Sequence, residues 1–383
     1  MMSSDLTSAF FIAIAFSYLT TPIMAYLAKR LNIMDRPSSK KVHTHPTPLL
    51  GGLAIYFAFI IAVSLTVLAD KVLIGILVGG TVIMVIGVID DKFGMLPRVK
   101  LTGQFIAAAI TVLMGVKVVF IKVPLISMIF TCIWLVTMTN ALNLLDNING
   151  LCAGISGISA FFFGILAFIH GDTMIATVSF ALMGSCFGFL KHNFPKAKIF
   201  MGDTGSLFLG YILASIAVAG SWKTSSVTTS LAIPILILGY PIFDITLVMI
   251  TRFLEGRPIS IGGKDHSSHR FAIAIIESIR STRDRRNRTV SRYNRLKLTI
   301  VEFMKGMRKK GQDRALNRLA NLGFKNVSAV LILYAVSFAL SVAALAMTLL
   351  GKYFDWTIMI ISFILMVLFG IRLAKVPIIL HKK

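Results

Sequence analysis

The stretch VIDDKFGMLPRVKLTGQ, Val88 to Gln104, separates two apolar segments and places two aspartates side by side where the first segment ends. The preceding run, Leu73 to Ile89, is long enough to cross a bilayer. Carboxylates are favourable at the N-terminus of a helix and unfavourable at its C-terminus. Asp90 and Asp91 could still be solvated helix-end charges or partners of nearby lysines. A cation site or a proton-transfer role explains the pair better.

The composition is that of a membrane protein. Hydrophobic residues make up 56% of the chain, charged residues only 14%, and the mean hydropathy is +0.83. The first apolar run lacks a small-residue cleavage site, so we expect it to be a membrane helix and not a cleavable signal. We predict one all-α integral membrane domain, 1–383, with about eleven transmembrane helices near residues 9–28, 50–69, 72–89, 102–120, 123–141, 153–170, 174–190, 205–221, 228–250, 328–350 and 355–374.

Positive charge divides the connections between these segments into two sets. One set is short and nearly featureless, whereas the other is basic and carries the polar motifs. Residues 251–326 alone hold 19 Lys and Arg against 6 Asp and Glu. Because Lys and Arg mark the cytoplasmic side, we predict an outside N-terminus, a cytoplasmic C-terminus and a polar site on the cytoplasmic face of the inner membrane. This topology accounts for the net charge of +23 without a nucleic-acid partner.

A second polar stretch, NALNLLDNINGL, runs from Asn140 to Leu151. At helical spacing, three amides and one carboxylate fall within about a third of the circumference, and Asn149-Gly150 is expected to end the helix. Interhelical hydrogen bonding is one explanation. Oxygen ligands for a hard cation, together with donors and acceptors for a nucleotide, fit better. The four residues of this face are Asn140, Asn143, Asp146 and Asn147.

A third stretch, NFPKAKIFMGDTGSLFLG, opens the next apolar segment and places Asp203 near the N-cap of a helix. Simple capping would explain Asp203 alone. The exposed amides of such a helix start favour an anion such as phosphate. The flanking glycines, Gly202 and Gly205, predict a close approach of the backbone to a ligand.

Further cations and histidines stand in two other connections. RPISIGGKDHSSHR, Arg257 to Arg270, is better suited to phosphate than to zinc, because two histidines lack a third zinc-type ligand nearby. KKVHTHPTPLLGG adds Lys41 and His43, although its histidines could be passive loop residues. Asp244 lies inside a predicted span, where an acid is either functional or a helix-packing residue.

These parts together favour phosphoryl transfer between a soluble nucleotide and a lipid acceptor, since such catalysis is mostly positioning and charge neutralisation. Neither GxxxxGK[ST] nor GxGxxG is present, so ATP-type phosphate loops are not supported. A multi-span carrier with Asp146 and Asp244 as coupling acids is an alternative. It predicts inverted repeats and broken helices at the midplane, and the sequence displays neither. A scaffold that has lost catalysis is a third interpretation, which the intact acids disfavour.

The motifs DDKFGMLPRVKLTGQ, NALNLLDNINGL, FMGDTGSLFLG and GGKDHSSHR, in this order, resemble those of the polyprenyl-phosphate N-acetylhexosamine-1-phosphate transferases. The resemblance implies transfer of HexNAc-1-phosphate, with GlcNAc favoured, from a UDP-sugar to undecaprenyl phosphate. UMP would be released, and a lipid-linked cell-envelope glycan would be initiated. It also implies a Mg²⁺ cofactor, with Mn²⁺ as a substitute. The partners would be UDP-HexNAc, undecaprenyl phosphate and the bilayer, and a homodimer is left open.

The resemblance also implies roles for individual residues. Asp90 would be the base that deprotonates or orients the lipid phosphate, and Asp91 would support it and the metal. The remaining roles are catalytic for Asp146 and His266, metal-binding for Asn143 and Asp203, diphosphate-binding for Lys100, His266 and Arg270, and uracil-binding for Asn149 and Phe200. Asn140 and Asp146 would complete the cleft, and the other substrate-binding residues would be Asn140, His269, Lys41 and His43.

Two departures separate the chain from the lipid I synthase of peptidoglycan, which transfers MurNAc-pentapeptide phosphate. That enzyme has aspartate at the position of Asn149 and a triple histidine where this chain has DHSSHR. The MurNAc-pentapeptide alternative is therefore weaker. A basic insertion, about 277–314, contains apolar residues at helical spacing between Val290 and Lys310. This pattern predicts an amphipathic helix on the cytoplasmic leaflet, and a solvated arm is the alternative.

Overall fold

The computed structural model describes residues 2–36, 45–222, 227–254, 256, 267–268, 324–350 and 352–374. Within these ranges the chain forms twelve helices and one short antiparallel ribbon. The helices are α1 (Met2–Arg30), α2 (Gly51–Thr66), α3 (Lys71–Phe93), α4 (Pro97–Leu113), α5 (Pro124–Leu145), α6 (Leu151–Ile169), α7 (Thr173–Asn193), α8 (Gly202–Ala219), α9 (Val227–Ile237), α10 (Gly239–Leu254), α11 (Phe324–Leu350) and α12 (Lys352–Ala374). The ribbon pairs β1 (Met34–Asp35) with β2 (Thr47–Pro48).

Each of the eleven predicted segments coincides with a helix or, for 228–250, with the bent pair α9 and α10. Among the described helices, eight are long and apolar enough to cross a membrane, and the bent pair would make nine. The predicted class, an all-α integral membrane protein with several spans, is confirmed. α2, with 16 residues, is apolar but shorter than those eight helices.

The bend between α9 and α10 measures 75° and has a local cause. Pro241 has no N–H, so it cannot satisfy the carbonyl of Ile237 four residues earlier. The Ser159 hydroxyl of α6 donates to that carbonyl at 3.1 Å. The break is thus stabilised by a side chain from a neighbouring helix, as expected where backbone groups are removed from water.

Helix α8 lies at the centre of the bundle and packs against α2, α3, α5 and α6. Its residues are almost all buried, whereas α1 and α12 lie at the periphery. Two glycines on neighbouring helices allow the close approach. A Cβ at Gly87 of α3 would lie 2.6 Å from the backbone nitrogen of Thr204, and one at Gly52 of α2 would lie 2.7 Å from its carbonyl carbon. The start of α8 is therefore held between two other helices.

The ribbon fixes the segment that enters α8. The Phe200 amide donates to the carbonyl of Pro48 in β2 at 2.8 Å, and the Gly51 amide donates back to the Phe200 carbonyl at 3.0 Å. The Gly52 amide donates to the Met201 carbonyl at 2.9 Å. The chain before α2 is thus bonded directly to the predicted phosphate motif. The predicted site residues Lys41 and His43 lie outside the described residues.

Candidate active site

Four helix ends meet at one end of the bundle: the C-termini of α3 and α5 and the N-termini of α4 and α8. They meet because α8 packs against both α3 and α5. α3 continues to Phe93, and α4 begins at Pro97, so only three residues separate the two helices. Asp90 and Asp91 therefore stand on the last turn of α3. The sequence had placed them at the start of a longer connection.

Lys100 at the start of α4 lies between two carboxylates. Its Nζ donates to Asp90 Oδ2 at 2.8 Å and also contacts Asp203 Oδ2. The other oxygen of Asp90 accepts the Met95 amide at 2.6 Å. The predicted diphosphate-binding lysine therefore neutralises two acids that come from different helices. All three side chains keep some solvent exposure, with Asp203 the most open at 33%.

Asn143 of α5 completes this arrangement. Its Nδ2 donates to Asp203 Oδ1 at 2.9 Å and to Ser206 Oγ at 2.9 Å. Ser206 was given no role from the sequence, although its spacing of three residues from Asp203 places both on one helix face. We call Asp90, Lys100, Asn143 and Asp203 the charged cluster.

Asp91 is placed differently from its sequence-based role. One oxygen accepts the Asp203 amide at 2.8 Å, and the other accepts the Thr204 amide at 3.0 Å and the Thr204 hydroxyl at 2.6 Å. Asp91 thus caps α8 from a neighbouring helix. Both oxygens hold the start of α8, so Asp91 has a positioning role, and its catalytic and metal-ligand roles stay predictions.

The backbone amides at the start of α8 were predicted to bind phosphate. Two of them, those of Asp203 and Thr204, donate to the Asp91 carboxylate instead, so this prediction is corrected. The glycines of the motif have a different purpose as well. Gly202 has φ +67°, and a Cβ there would overlap the Asp91 carboxylate. Gly205 lies against Gly52 and Met201. The close approach is between parts of the protein, not between backbone and ligand.

The face predicted to run from Asn140 to Asn147 is interrupted, because α5 ends at Leu145. Asn147 lies beyond the helix, and its Nδ2 donates to the Leu144 carbonyl at 3.1 Å, which satisfies one of the last carbonyls of α5. Asp146 stands at the C-cap. Asparagine and aspartate compete in this way with backbone hydrogen bonds, which favours turns over helix interiors.

The Asp146 carboxyl is partly exposed and accepts no hydrogen bond from any residue that the structure describes. Burial, and then the negative charges of Asp203 and Asp91, raise the pKa of this carboxyl to about 8. The Asp146 carboxyl therefore lies near enough to Asp203 to be affected by its charge. It accepts no bond from the described residues, which leaves it available for a ligand. Its catalytic and cleft-forming roles stay predictions.

Asn140 does not join the cluster. Its Nδ2 donates to Gln104 Oε1 at 2.6 Å and to the Val136 carbonyl at 2.8 Å, and Gln104 returns a bond to its Oδ1 at 3.3 Å. Gln104 is buried. This reciprocal amide pair joins α4 to α5, so we correct the substrate-binding assignment of Asn140 to interhelical bonding, the alternative weighed above.

The two predicted uracil-binding residues, Asn149 and Phe200, are both partly exposed. Asn149 is partly exposed, and its amide makes no hydrogen bond within the described part of the chain. Phe200 is partly exposed and is held by its backbone to β2 and to Gly51. Both remain candidates for a ligand.

Two residues that the sequence did not single out hold the turn that carries Asp146 and Asn149. Buried Asn193, at the end of α7, accepts the Gly150 amide at 2.6 Å and donates to the Ile199 carbonyl at 2.9 Å. The Tyr334 hydroxyl of α11 donates to the Gly150 carbonyl at 2.5 Å. Asn193 opens the third quoted motif, which was the available signal. Tyr334 had none, because it lies in an ordinary apolar segment.

Comparison with known proteins decides the family. A model described as glycosyl transferase family 4 matches residues 73–221. A probable undecaprenyl-phosphate N-acetylglucosaminyl 1-phosphate transferase from Bacillus subtilis is 37% identical over 272 residues, which cover 68% of this chain and 76% of that protein. The chain belongs to glycosyl transferase family 4. The resemblance drawn from the four motifs is confirmed, and this family 4 protein is an enzyme, which sets the carrier interpretation aside.

Other relatives of this family 4 enzyme include a decaprenyl-phosphate N-acetylglucosaminephosphotransferase from Mycobacterium leprae. It is 33% identical over 292 residues, covering 66% of this chain and 73% of its own length. A phospho-N-acetylmuramoyl-pentapeptide-transferase from Moorella thermoacetica is 31% identical over 224 residues, covering 51% and 70%. The similarity to the MurNAc-pentapeptide enzyme thus extends over less of the chain.

The donor atoms in this family 4 site suit a hard divalent cation. Among the described residues, no three His, Cys, Asp or Glu side chains converge as a ready-made metal cage. Asp203, Asp146 and the amide oxygen of Asn143 offer oxygen ligands at one end of the bundle, although Nδ2 of Asn143 currently faces Asp203. Mg²⁺ usually binds one or two carboxylates together with water and substrate phosphates. The chemistry of these oxygen donors therefore suits Mg²⁺, and the cofactor itself stays a prediction.

The fourth motif is described at two residues only, Ser267 and Ser268. Ser268 Oγ donates to Asn147 Oδ1 at 2.8 Å, which joins this motif to the second one. The other predicted residues of the motif, His266, His269 and Arg270, lie outside the described residues, as does the basic insertion 277–314.

Proposed function

We propose that this enzyme transfers GlcNAc-1-phosphate from UDP-GlcNAc to undecaprenyl phosphate and releases UMP, as the first step of a lipid-linked cell-envelope glycan. The observation that carries the proposal is the charged cluster, in which one lysine lies between acids from two helices at the mouth of a membrane bundle. The names of the Bacillus and Mycobacterium relatives support GlcNAc as the transferred sugar and a polyprenyl phosphate as the acceptor.

In the proposed reaction an oxygen of the lipid phosphate forms a bond to the β-phosphorus of UDP-GlcNAc. The bond between that phosphorus and the oxygen bridging to the α-phosphorus breaks, and the bridging oxygen leaves with UMP. The attacking oxygen must carry a lone pair and negative charge. A carboxylate can accept its proton or hold the phosphate in the reactive direction.

Asp90 is the carboxylate that we assign to this role. It comes from a partly exposed helix end, and its Oδ2 accepts a bond from the side chain of Lys100 at 2.8 Å. Asp91 cannot take the role without releasing α8. The different placement of the two adjacent aspartates supports assigning the base role to Asp90.

Lys100 is assigned to the diphosphate. In the structure its charge is shared between Asp90 and Asp203. When a diphosphate and a cation enter, the acids gain new partners, and the lysine can turn to the phosphate oxygens. Charge neutralisation of this kind is the main requirement of phosphoryl transfer.

Asp203, Asn143 and Asp146 would hold Mg²⁺, and Mn²⁺ would fit the same oxygen ligands. When bound, the cation would neutralise charge on the diphosphate and polarise its phosphorus–oxygen bonds. Asp146 replaces Asp91 in the ligand set, because its carboxyl accepts no bond from the described residues. Asn143 would turn its amide oxygen toward the cation.

Asn149 and Phe200 are assigned to uracil, by amide pairing and by stacking. The sequence adds His266, His269 and Arg270 as phosphate ligands, and Lys41 and His43 as further cations near the mouth of the site. These five residues enter the proposal from the sequence alone.

We further propose that all eleven segments cross the membrane, with the N-terminus outside, the C-terminus inside and the site on the cytoplasmic face of the inner membrane. The basic residues of the connections support this orientation. The insertion 277–314 would lie on the anionic leaflet. Homodimer formation stays a prediction.

The test is a donor panel. Purified protein with undecaprenyl phosphate and Mg²⁺ should release UMP from UDP-GlcNAc and form a lipid-linked diphosphate product. UDP-GalNAc and UDP-MurNAc-pentapeptide serve as competing donors, and EDTA followed by added Mg²⁺ or Mn²⁺ tests the cofactor. UMP release from UDP-MurNAc-pentapeptide but not from UDP-GlcNAc would refute the proposed donor.

A further inference from the structure

Three buried residues outside the charged cluster form a hydrogen-bonded group: Tyr240 and Asp244 of α10, and Ser267 of the fourth motif. Asp244 is 1% exposed, and its Oδ1 accepts the Ser267 amide at 2.8 Å and the Ser267 hydroxyl. The hydroxyl of buried Tyr240, one helical turn earlier, lies 2.9 Å from the same Ser267 Oγ. Asp244 therefore binds the fourth motif from inside the bundle.

The next residue continues the connection. Ser268 is buried, and its Oγ donates to Asn147 Oδ1, while Asn147 is bonded to the end of α5. Two adjacent serines thus link α10 to the turn that carries Asp146 and Asn149. In the sequence these serines are flanked by His266 and His269.

An aspartate at this depth requires an explanation. A buried carboxylate is costly unless it is hydrogen-bonded, and an apolar residue would fill this position on α10 without that cost. The bonds to Ser267 offset part of that cost. The dependence is mutual, because the buried Ser267 amide would lose its acceptor if Asp244 were removed.

We propose that Asp244 is a positioning residue for the donor nucleotide: by holding Ser267, and through it the adjacent Ser268, it fixes the turn that carries Asp146 and Asn149. The proposal rests on the proposed function, because the donor is taken to be the UDP-sugar. Asp244 touches no substrate and acts through the serines. This role differs both from the coupling acid of a carrier and from a simple helix-packing acid.

The kinetic test separates donor from acceptor. Asp244→Ala should raise KM for UDP-GlcNAc at least about tenfold, the factor expected for a buried hydrogen bond to a charged group. KM for undecaprenyl phosphate should change less than about twofold. Asp244→Asn keeps an oxygen acceptor and should have a smaller effect. A general loss of stability would not produce this separation.

Asp355→Ala is the matched control. Asp355 is also buried, at 5% exposure, and accepts a hydroxyl bond from Thr229 at 2.6 Å. Its bond joins α12 to α9, neither of which supplies a residue to the charged cluster. This variant should lose stability without raising KM for the donor.

Hydrogen exchange tests the contact without catalysis. The peptide that contains Ser267 should be protected in the wild type, exchange at least about tenfold faster in Asp244→Ala, and keep its protection in Asp355→Ala. Unchanged exchange in Asp244→Ala overturns the proposal, even if the enzyme proves to use another donor. Faster exchange with an unchanged donor KM overturns the positioning role in an enzyme that turns over UDP-GlcNAc. Absence of UMP release from every donor would instead refute the proposed function.

Discussion

The carboxylate of Asp91 accepts both the backbone amide and the hydroxyl of Thr204, and so a residue of α3 caps the start of α8. The residue between the Gly202 turn and Thr204 is Asp203, whose own amide binds the other Asp91 oxygen. The cap therefore fixes the direction in which Asp203 faces Lys100 and Asn143. The two adjacent aspartates therefore differ in role. Asp90 belongs to the charged cluster, whereas Asp91 caps the start of α8, which carries Asp203 into that cluster.

Removal of this cap should cost both stability and activity. Asp91→Ala deletes three hydrogen bonds to a charged acceptor, for which we expect about 2–4 kcal/mol of lost unfolding free energy. Thr204→Val removes only the hydroxyl bond and should cost about 1 kcal/mol. Thermal unfolding in detergent measures both.

The matched control for this cap is Asp70, which accepts the Leu73 amide at 2.7 Å at the start of α3. Asp70→Ala should lose about 1 kcal/mol and keep full turnover. An Asp91→Ala protein with wild-type thermal stability would contradict the capping role.

The charged cluster should behave differently from Asp91. Asp90→Asn and Asp203→Asn preserve shape and remove charge, so we expect at least about a hundredfold loss of UMP release with little loss of thermal stability. The measurement is UMP release at saturating substrates. Substantial residual turnover in either variant would refute the role that we assign to that residue.

Asp146 should make the stability of the metal-free enzyme depend on pH. Its folded-state pKa is about 8, above an unfolded value of about 3.9. Between these values the folded chain binds more protons than the unfolded chain, so stability falls as pH rises through this window and levels off above it.

The comparison that isolates this effect is Asp146→Asn against wild type, in EDTA, from pH 5 to 9. The wild type should lose thermal stability relative to the variant as the pH increases, and added Mg²⁺ should reduce the loss because it binds the ionised form. Parallel pH profiles for the two proteins would show that Asp146 does not titrate in this range.

The close crossing of α3 and α8 should tolerate no added methyl group. Gly87→Ala would place a Cβ 2.6 Å from the Thr204 nitrogen, and backbone must move to admit it. We expect a loss of about 1–3 kcal/mol together with reduced turnover, because the shift separates Asp91 from its cap site. Gly103→Ala is the control, since its Cβ meets only the movable tip of Ile86 at 2.6 Å. Equal effects of the two substitutions would contradict this explanation.

Much of the site could be predicted because its polar and charged residues stand in or beside segments that are otherwise apolar. Asp90, Asn143 and Asp203 interrupt apolar segments, and each lies at one of the helix ends that converge. The capping role of Asp91 was missed because two of its three donors are backbone amides, which carry no sequence signature. Asn140 was misassigned because its partner, Gln104, is 36 residues away on another helix.

The sequence by itself determined the class, the approximate helix positions and the family, since hydropathy and local motifs are properties of consecutive residues. Only the tertiary structure decided which polar groups bind each other and which remain available for substrate. A hydrogen bond between helices depends on their crossing and rotation, which side-chain packing over the whole bundle sets. For that reason Asp146, and not Asp91, is the carboxylate left open beside the charged cluster.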